Sequence, residues 1–253
     1  MKNKPLVSII TPSFNSEKFL EETICAVLNQ TYDNIEYILV DGLSTDGSQT
    51  IIEKYYNNFN KVIIERDSGM YDAINKGLKV AKGDILCYIN SDDIYPPNTI
   101  EKVVNYFLSH PNSDIVYGNL EYINEDGRHI KYYNYPKFNF KYFISLWFSS
   151  IPQPSTFWTK KVHERIGYFD DKLKMCGDFD FFIRVGQKFP IHHTNEIIVK
   201  HRRHNMALTS SAPNINKLEF KKIQSKYLSI AKFSKLSKLF YLIKGFYHFK
   251  TNR

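Results

Sequence analysis

The chain has 253 residues, 43% hydrophobic and 15% aromatic, which is enough for one sizeable α/β domain with appendages and too apolar for a disordered chain. A formal net charge of +8 and a pI near 9.1 call for an anionic partner; nucleic acid, an anionic membrane surface and a diphosphate all qualify. The three cysteines, Cys25, Cys87 and Cys176, form no Cys-x-x-Cys pair, which argues against structural zinc and a disulfide framework, and no apolar run approaches the ~18 residues of a membrane span.

Lysines precede a short apolar run at the start of the chain, but Thr11-Pro12-Ser13-Phe14-Asn15 ends that run too soon for a leader and predicts a first buried strand. Apolar runs then recur at Ile35–Val40, Val62–Ile64, Ile85–Ile89 and Ile115–Tyr117. Helical patterns fall between them near Glu17–Leu28, Gln49–Tyr56, Tyr71–Ala81 and Thr99–Leu108. This alternation predicts crossover units and a mostly parallel sheet with helices on both faces. Further on, Leu120–Ile123 and His129–Tyr133 flank Glu125-Asp126-Gly127 as a hairpin, and a helical pattern begins at Asp178. From Lys217 lysines abound and acids nearly vanish, which marks an appended basic helical tail.

Polar clusters stand at the strand exits. If the strands are parallel, Thr11–Asn15, Asp41–Ser48 and Asn90-Ser91-Asp92-Asp93 emerge at one carboxyl edge, where open α/β sheets bind ligands. Two carboxylates after a buried strand are costly unless a cation compensates, which favours Mg²⁺ or Mn²⁺ shared with phosphates. Asp41, directly at its strand exit, is a candidate for hydrogen bonding a base or ribose, whereas Asp46 reads as a turn or N-cap residue. Arg66 and Asp67, at the third exit, read as ligand contacts or as ordinary loop residues. Asp72, Asn75 and Lys76 share one helical face, the pattern of an ordinary surface helix. Asp178 and Asp180 open a helix and suit either N-terminal capping or catalysis. His192-His193 and His201-Arg202-Arg203-His204 lack zinc-enzyme spacing; a strand carrying them reads as structural, with Arg202, Arg203 or His204 as the alternative contact to a diphosphate.

Taken in order, Val7–Asn15, Asp41–Ser48, Gly69–Gly77, Gly83–Asp93, Gln153–Phe157, Gly167–Asp170 and Gly177–Asp180 resemble the family 2 glycosyltransferases. The resemblance implies a GT-A, Rossmann-like nucleotide-sugar-binding domain over residues 1–210. Its nucleotide half would cover 1–118 and its acceptor half 119–210, with the extension at 211–253. It also implies an inverting, metal-dependent hexosyl transfer from a nucleotide sugar, by default a UDP-sugar, in polysaccharide assembly. Thr11, Pro12, Asn15, Asp41, Arg66, Asp67, Asn90, Ser91 and Asp92 would hold the donor. Asp92 would bind Mn²⁺ or Mg²⁺, Asp178 would be the general base, and Gln153 would line the acceptor side. Asn90 and Gly42 replace aspartates common in the family, so the cation should lean on Asp92 alone and the base is less strongly specified.

The acceptor would be a glycan or lipid-linked saccharide. In the tail, Leu236, Leu239, Phe240, Ile243, Phe246 and Tyr247 share one helical face, which either docks on the domain or rests on an anionic membrane. The expected location is the cytoplasm, with peripheral contact at the inner face of the cell membrane under the second reading. A sugar-nucleotide nucleotidyltransferase would want a Gly-rich, basic loop after the first strand, which Thr11–Asn15 lacks. A nucleic-acid-binding protein would want a basic stripe beside exposed aromatics, whereas the basic residues concentrate in the tail, so no nucleic-acid partner is expected. No motif sets the sugar, the linkage or the oligomeric state.

Overall fold

The structure, a computed structural model, describes residues 4–145, 151–208 and 213–230. Its elements run β1 (Val7–Ser13), α1 (Glu17–Leu28), β2 (Ile35–Asp41), α2 (Ser48–Lys54), β3 (Lys61–Ile64), α3 (Met70–Val80), β4 (Ile85–Tyr88) and α4 (Thr99–Ser109). There follow β5 (Ile115–Ile123), β6 (His129–Tyr133), α5 (Phe140–Ser145), β7 (Thr156–Thr159), α6 (Lys160–Ile166), α7 (Gly177–Gly186), β8 (His192–Arg202) and α8 (Pro213–Ile230). The strands form one sheet in the order β3-β2-β1-β4-β7-β5-β6, with β8 paired to β5.

β3, β2, β1 and β4 are parallel neighbours. β7 runs antiparallel to both β4 and β5, so β5 regains the direction of β4, and β8 pairs parallel with β5. The exits of β1, β2, β4, β5 and β8 therefore all face one way. The predicted hairpin is the antiparallel β5–β6 pair. The antiparallel β7, which separates the two parallel regions, is the main departure from the expected crossover pattern.

Side chains of a strand alternate between sheet faces, and here both faces are covered. Val7, Ile9, Tyr37, Leu39 and Cys87 pack with Leu20 and Ile24 of α1, Ile52 of α2 and Val103 of α4. Ile10, Ile38, Val40 and Tyr88 pack on the other face with Ile74 of α3, Phe181 of α7 and Phe220 and Tyr227 of α8. Phe220, Ile223 and Tyr227 are buried, so this part of the basic extension docks on the domain. The second helical stretch expected in the tail, at 236–247, lies outside the described residues, among which no helix is long and apolar enough to cross a membrane.

α3 departs from the surface helix its polar face suggested. Asn75 is buried, its Nδ2 donates to the Phe169 carbonyl at 2.9 Å, and its Oδ1 accepts the Phe169 N–H at 3.0 Å. This paired bond ties α3 to the segment ahead of α7. Asn75→Ala leaves both Phe169 backbone groups without partners in a dry place and is expected to lower unfolding stability by about 2–3 kcal/mol, read from a denaturant midpoint shift at constant slope.

Candidate functional site

The common edge carries a cavity of about 980 Å³. Of the residues singled out in the sequence, Pro12, Asn15, Arg66, Asp67, Asn90, Ser91, Asp92, Gln153 and Asp178 line it. Thr11 and Asp41 do not; both are fully buried beneath it. The Thr11 hydroxyl lies 3.2 Å from the Tyr37 hydroxyl. The Asp41 carboxylate accepts the Ser44 N–H at 2.8 Å and the Ser44 hydroxyl at 2.6 Å. Asp41 thus folds back on its own loop as an Asx turn, with one bond from Ser44 to each of its oxygens.

That loop is locked to the β1 exit. Asn15 has φ 50°, a conformation asparagine tolerates better than most residues. Its N–H donates to Ser44 Oγ at 2.8 Å, and its Oδ1 accepts the Thr45 N–H at 2.9 Å. Asp46 accepts the Ser48 N–H at 2.9 Å, in the turn role expected of it. At the β3 exit Asp67 accepts the Gly69 N–H at 2.9 Å. Its carboxylate occupies the space above Gly42, where an added Cβ would come within 2.3 Å of Oδ2, so an acidic residue at 42 would displace Asp67. Burial raises the Asp67 pKa against the lowering effects of the Gly69 N–H and Lys76.

The β4 exit separates its two carboxylates. Asp93 is fully buried; its Oδ1 accepts the Arg202 N–H at 3.0 Å and lies 2.9 Å from His201 Nδ1. Burial alone would lower the His201 pKa, but Asp93 outweighs it and the pKa is raised. Asp92 faces the cavity, with Oδ2 2.8 Å from His204 Nε2. Burial, then the charge of Asp93, raises the Asp92 pKa. Reciprocal backbone bonds between Ile94 and Lys200, at 3.0 and 2.8 Å, bring the β4 exit and the end of β8 together.

No cluster of three His, Cys, Asp or Glu able to hold a metal occurs among the described residues. The donors present are the Asp92 carboxylate, the His204 imidazole and Asn90 Oδ1, which is buried without a hydrogen-bond partner. One carboxylate with few further donors suits a hard cation that takes its remaining ligands from a substrate's phosphates, not a closed protein cage. His204 was the weaker signal in the sequence, since its Asp92 partner is 112 residues away.

On the other side of the site, Asp178 is the second residue of α7. Its Oδ1 accepts the Phe179 N–H at 2.8 Å and the Tyr71 hydroxyl at 3.3 Å, and Tyr71 also reaches the Met175 carbonyl at 3.1 Å. The Tyr71 ring lies so close to Gly177 that an added Cβ would fall 2.7 Å from it. Burial pushes the Asp178 carboxyl up to about 6, against the lowering effect of the Phe179 N–H and Tyr71. The helix-end bond to Phe179 and the burial therefore oppose each other, and burial wins. Asp180, the other acid of this helix, pairs with Arg184 at 2.8 Å and is structural. Gln153 lines the cavity from a buried turn, its Nε2 donating to the Tyr88 carbonyl at 3.1 Å and its Oε1 accepting from Asn90 Nδ2 at 3.4 Å.

The Asp178 shift has a measurable consequence. Its folded pKa, about 6, lies above the ordinary 3.8, so between these values the folded protein holds a proton that the unfolded chain has released. Stability is lost as pH rises through this window, and the cost persists above it. Asp178→Asn is expected to be more stable than the parent at pH 8 by about 3 kcal/mol and nearly equal to it near pH 4, measured by denaturant unfolding at both pH values.

Comparison with known proteins bears on the family and the fold. A Rickettsia felis uncharacterized glycosyltransferase is 32% identical over 220 residues, 84% of this chain and 36% of the relative, so the chain spans about a third of that protein's length. The Staphylococcus aureus TarS structure in complex with UDP-GlcNAc superposes with a TM-score of 0.73 at 22% identity, covering 92% of this chain and 69% of that one. The Pyrobaculum calidifontis mannosyltransferase PcManGT, in complex with GDP-Man and Mn²⁺, superposes with a TM-score of 0.66 at 16% identity, covering 92% of this chain and 66% of that one. At these identities the two structures share the fold. The model of glycosyl transferase family 2 matches residues 8–167, and the chain belongs to that family.

Proposed function

We propose that the protein is an inverting glycosyltransferase that moves a hexose from a nucleotide sugar to an acceptor hydroxyl. The observation that carries this reading is the sharing of one cavity by two unlike carboxylates, Asp92 beside His204 and Asp178 beside Tyr71. Phe14 and Leu43, 61% and 45% exposed at the cavity rim, offer apolar faces to a nucleobase. A uridine donor is the default, supported by the UDP-GlcNAc complex of TarS. Asp92 and His204, with the orphan Asn90 Oδ1, would hold Mn²⁺ or Mg²⁺. When bound, that cation would neutralise charge on the diphosphate leaving group.

The chain's own residues supply the rest. Arg66 and Lys18 line the cavity and add positive charge for a diphosphate. Asp178, ionised at neutral pH yet more basic than an ordinary carboxylate, takes the proton of the acceptor hydroxyl. The acceptor oxygen bonds to the anomeric carbon as the carbon–oxygen bond to phosphate breaks. The electron pair leaves with the diphosphate, and the anomeric configuration inverts. Tyr71, whose own pKa is raised by burial and by Asp178, stays protonated as a hydrogen-bond donor to the base. A glycan or lipid-linked saccharide in polysaccharide assembly is the acceptor class proposed, with Gln153 on the acceptor side. The part of the extension beyond α8 would bear any peripheral membrane contact.

Two substitutions test this reading. Asp178→Asn should lower transfer by about 10²–10⁴-fold while the UDP-sugar dissociation constant changes less than about twofold. Asp92→Ala should abolish the Mn²⁺-dependent rise in thermal midpoint with UDP that the parent shows. A nucleotide-sugar panel screened by thermal shift identifies the donor, and turnover of Asp178→Asn at the parent's rate refutes the base assignment.

A further inference from the structure

Glu219 of α8 lies beyond the residues matched by the family model, yet its carboxylate closes on the segment that carries the base. Oε1 accepts the Lys174 N–H at 2.7 Å; Oε2 accepts the Met175 N–H at 2.8 Å and the Cys176 N–H at 3.1 Å. Three successive backbone N–H groups converging on one carboxylate form a nest for an anion, here filled by a side chain of the same protein. The three residues immediately precede α7, whose second residue is Asp178. Cys176 Sγ donates to Asn216 Oδ1 at 3.2 Å, and Phe220 stacks on Phe179 with ring centroids 4.5 Å apart. Tyr227 donates to Asp180 Oδ1 at 2.9 Å. The helix therefore grips the residues on both sides of the base.

Met175 links this grip to the cavity. Glu219 holds its N–H, and the Tyr71 hydroxyl, which also bonds Asp178, holds its carbonyl. A shift of the 174–176 segment would carry the Met175 carbonyl away from Tyr71, whose single hydroxyl proton is shared between that carbonyl and Asp178, and would move the start of α7 that carries Asp178. The Lys174 ammonium, pointing the other way, bonds the Ser68 carbonyl on the lip of the cavity.

Resting on the assignment of Asp178 as the base, we propose that Glu219 is a positioning residue that presets residues 174–176, so that Asp178 stays inside the cavity against Tyr71. The basic extension is then part of the catalytic architecture as well as an attachment to it. The ionisable groups that interact with Asp178 are Tyr71 from α3, Tyr88 from β4 and Cys176 from its own segment; Glu219 acts on Cys176 from α8. Tyr71 and Tyr88 have pKa values raised well above the ordinary range by burial, and the Cys176 thiol is pushed up to about 12 by burial, then by Asp178 and Glu219, so all three stay uncharged near neutrality.

The test uses the full chain with Glu219→Gln and Glu219→Ala, aspartate labelled with ¹³C at the side-chain carboxyl, and the Asp178 resonance assigned from Asp178→Asn. In the parent the Asp178 carboxyl should titrate near 6. In Glu219→Ala, release of the segment admits water, and the titration should move down by about one unit or more. Glu219→Gln keeps one acceptor oxygen and should move it by about half a unit. Binding of UDP with Mn²⁺, followed by thermal shift, should stay within about twofold of the parent in both. A role confined to fastening the helix would lower the melting temperature and leave the Asp178 titration near 6, which overturns the proposal. If Glu219→Ala does not fold, Glu219→Gln decides alone, and an unmoved titration there overturns it too. The titration requires no turnover, so a failure of Asp178 as base, seen as retained transfer in Asp178→Asn, is read separately.

Discussion

Two neighbouring carboxylates in a place poor in water cannot both be left bare, and the different compensation of Asp92 and Asp93 organises the edge of this sheet. Asp93 is met entirely by the protein, through the Arg202 N–H and the His201 ring. Those contacts pin the end of β8 to the exit of β4. The buried Arg202 guanidinium extends the clamp: its Nε donates to the Asp92 carbonyl at 3.0 Å, Nη1 to the Glu125 carbonyl at 2.7 Å, and Nη2 to Glu22 of α1 at 2.5 Å. One side chain thus joins α1, the β4 exit, the β5–β6 hairpin and β8. Asp92 is the carboxylate left facing the cavity, with a raised pKa that a cation would relieve.

The second carboxylate of the site is governed by a different balance. Asp178 has a helix-end N–H and a tyrosine hydroxyl to stabilise its charge, and still titrates high because it is removed from water. Asp92 depends on the sheet, through strand exits and the β8 ladder. Asp178 depends on helices: Tyr71 and Asn75 of α3 fix the segment before α7, and Glu219 of α8 fixes it from the opposite side. The two halves of the cavity therefore rest on separate supports joined at α3, which packs directly on the parallel strands. A change in the helical support can move Asp178 without disturbing the strand exits that bear Asp92.

Much of this protein was determined by its sequence. Strands buried on both faces are predominantly apolar, so β1, β2 and β4 stood out as runs even with Ser8 and Glu36 inside them, paired with each other, and the polar residues that ended them marked the cavity edge. Asp92 and Asp178 were legible because their neighbours form ordered motifs. The tertiary structure decided what short-range pattern does not carry. The direction of a side chain after a strand exit depends on how the loop closes, and Asp41 turned back to Ser44 instead of lining the cavity. Asn75 looked like a member of a solvated helical face, but its partner is the backbone of Phe169, 94 positions later, which no periodicity records. His204 reached Asp92 only because β7 inserts antiparallel and β8 then pairs parallel with β5, returning a distant strand end to the β4 exit. Local composition sets which segments are buried and where they end; the meeting of two ends depends on strand order and direction, a property of the assembled sheet.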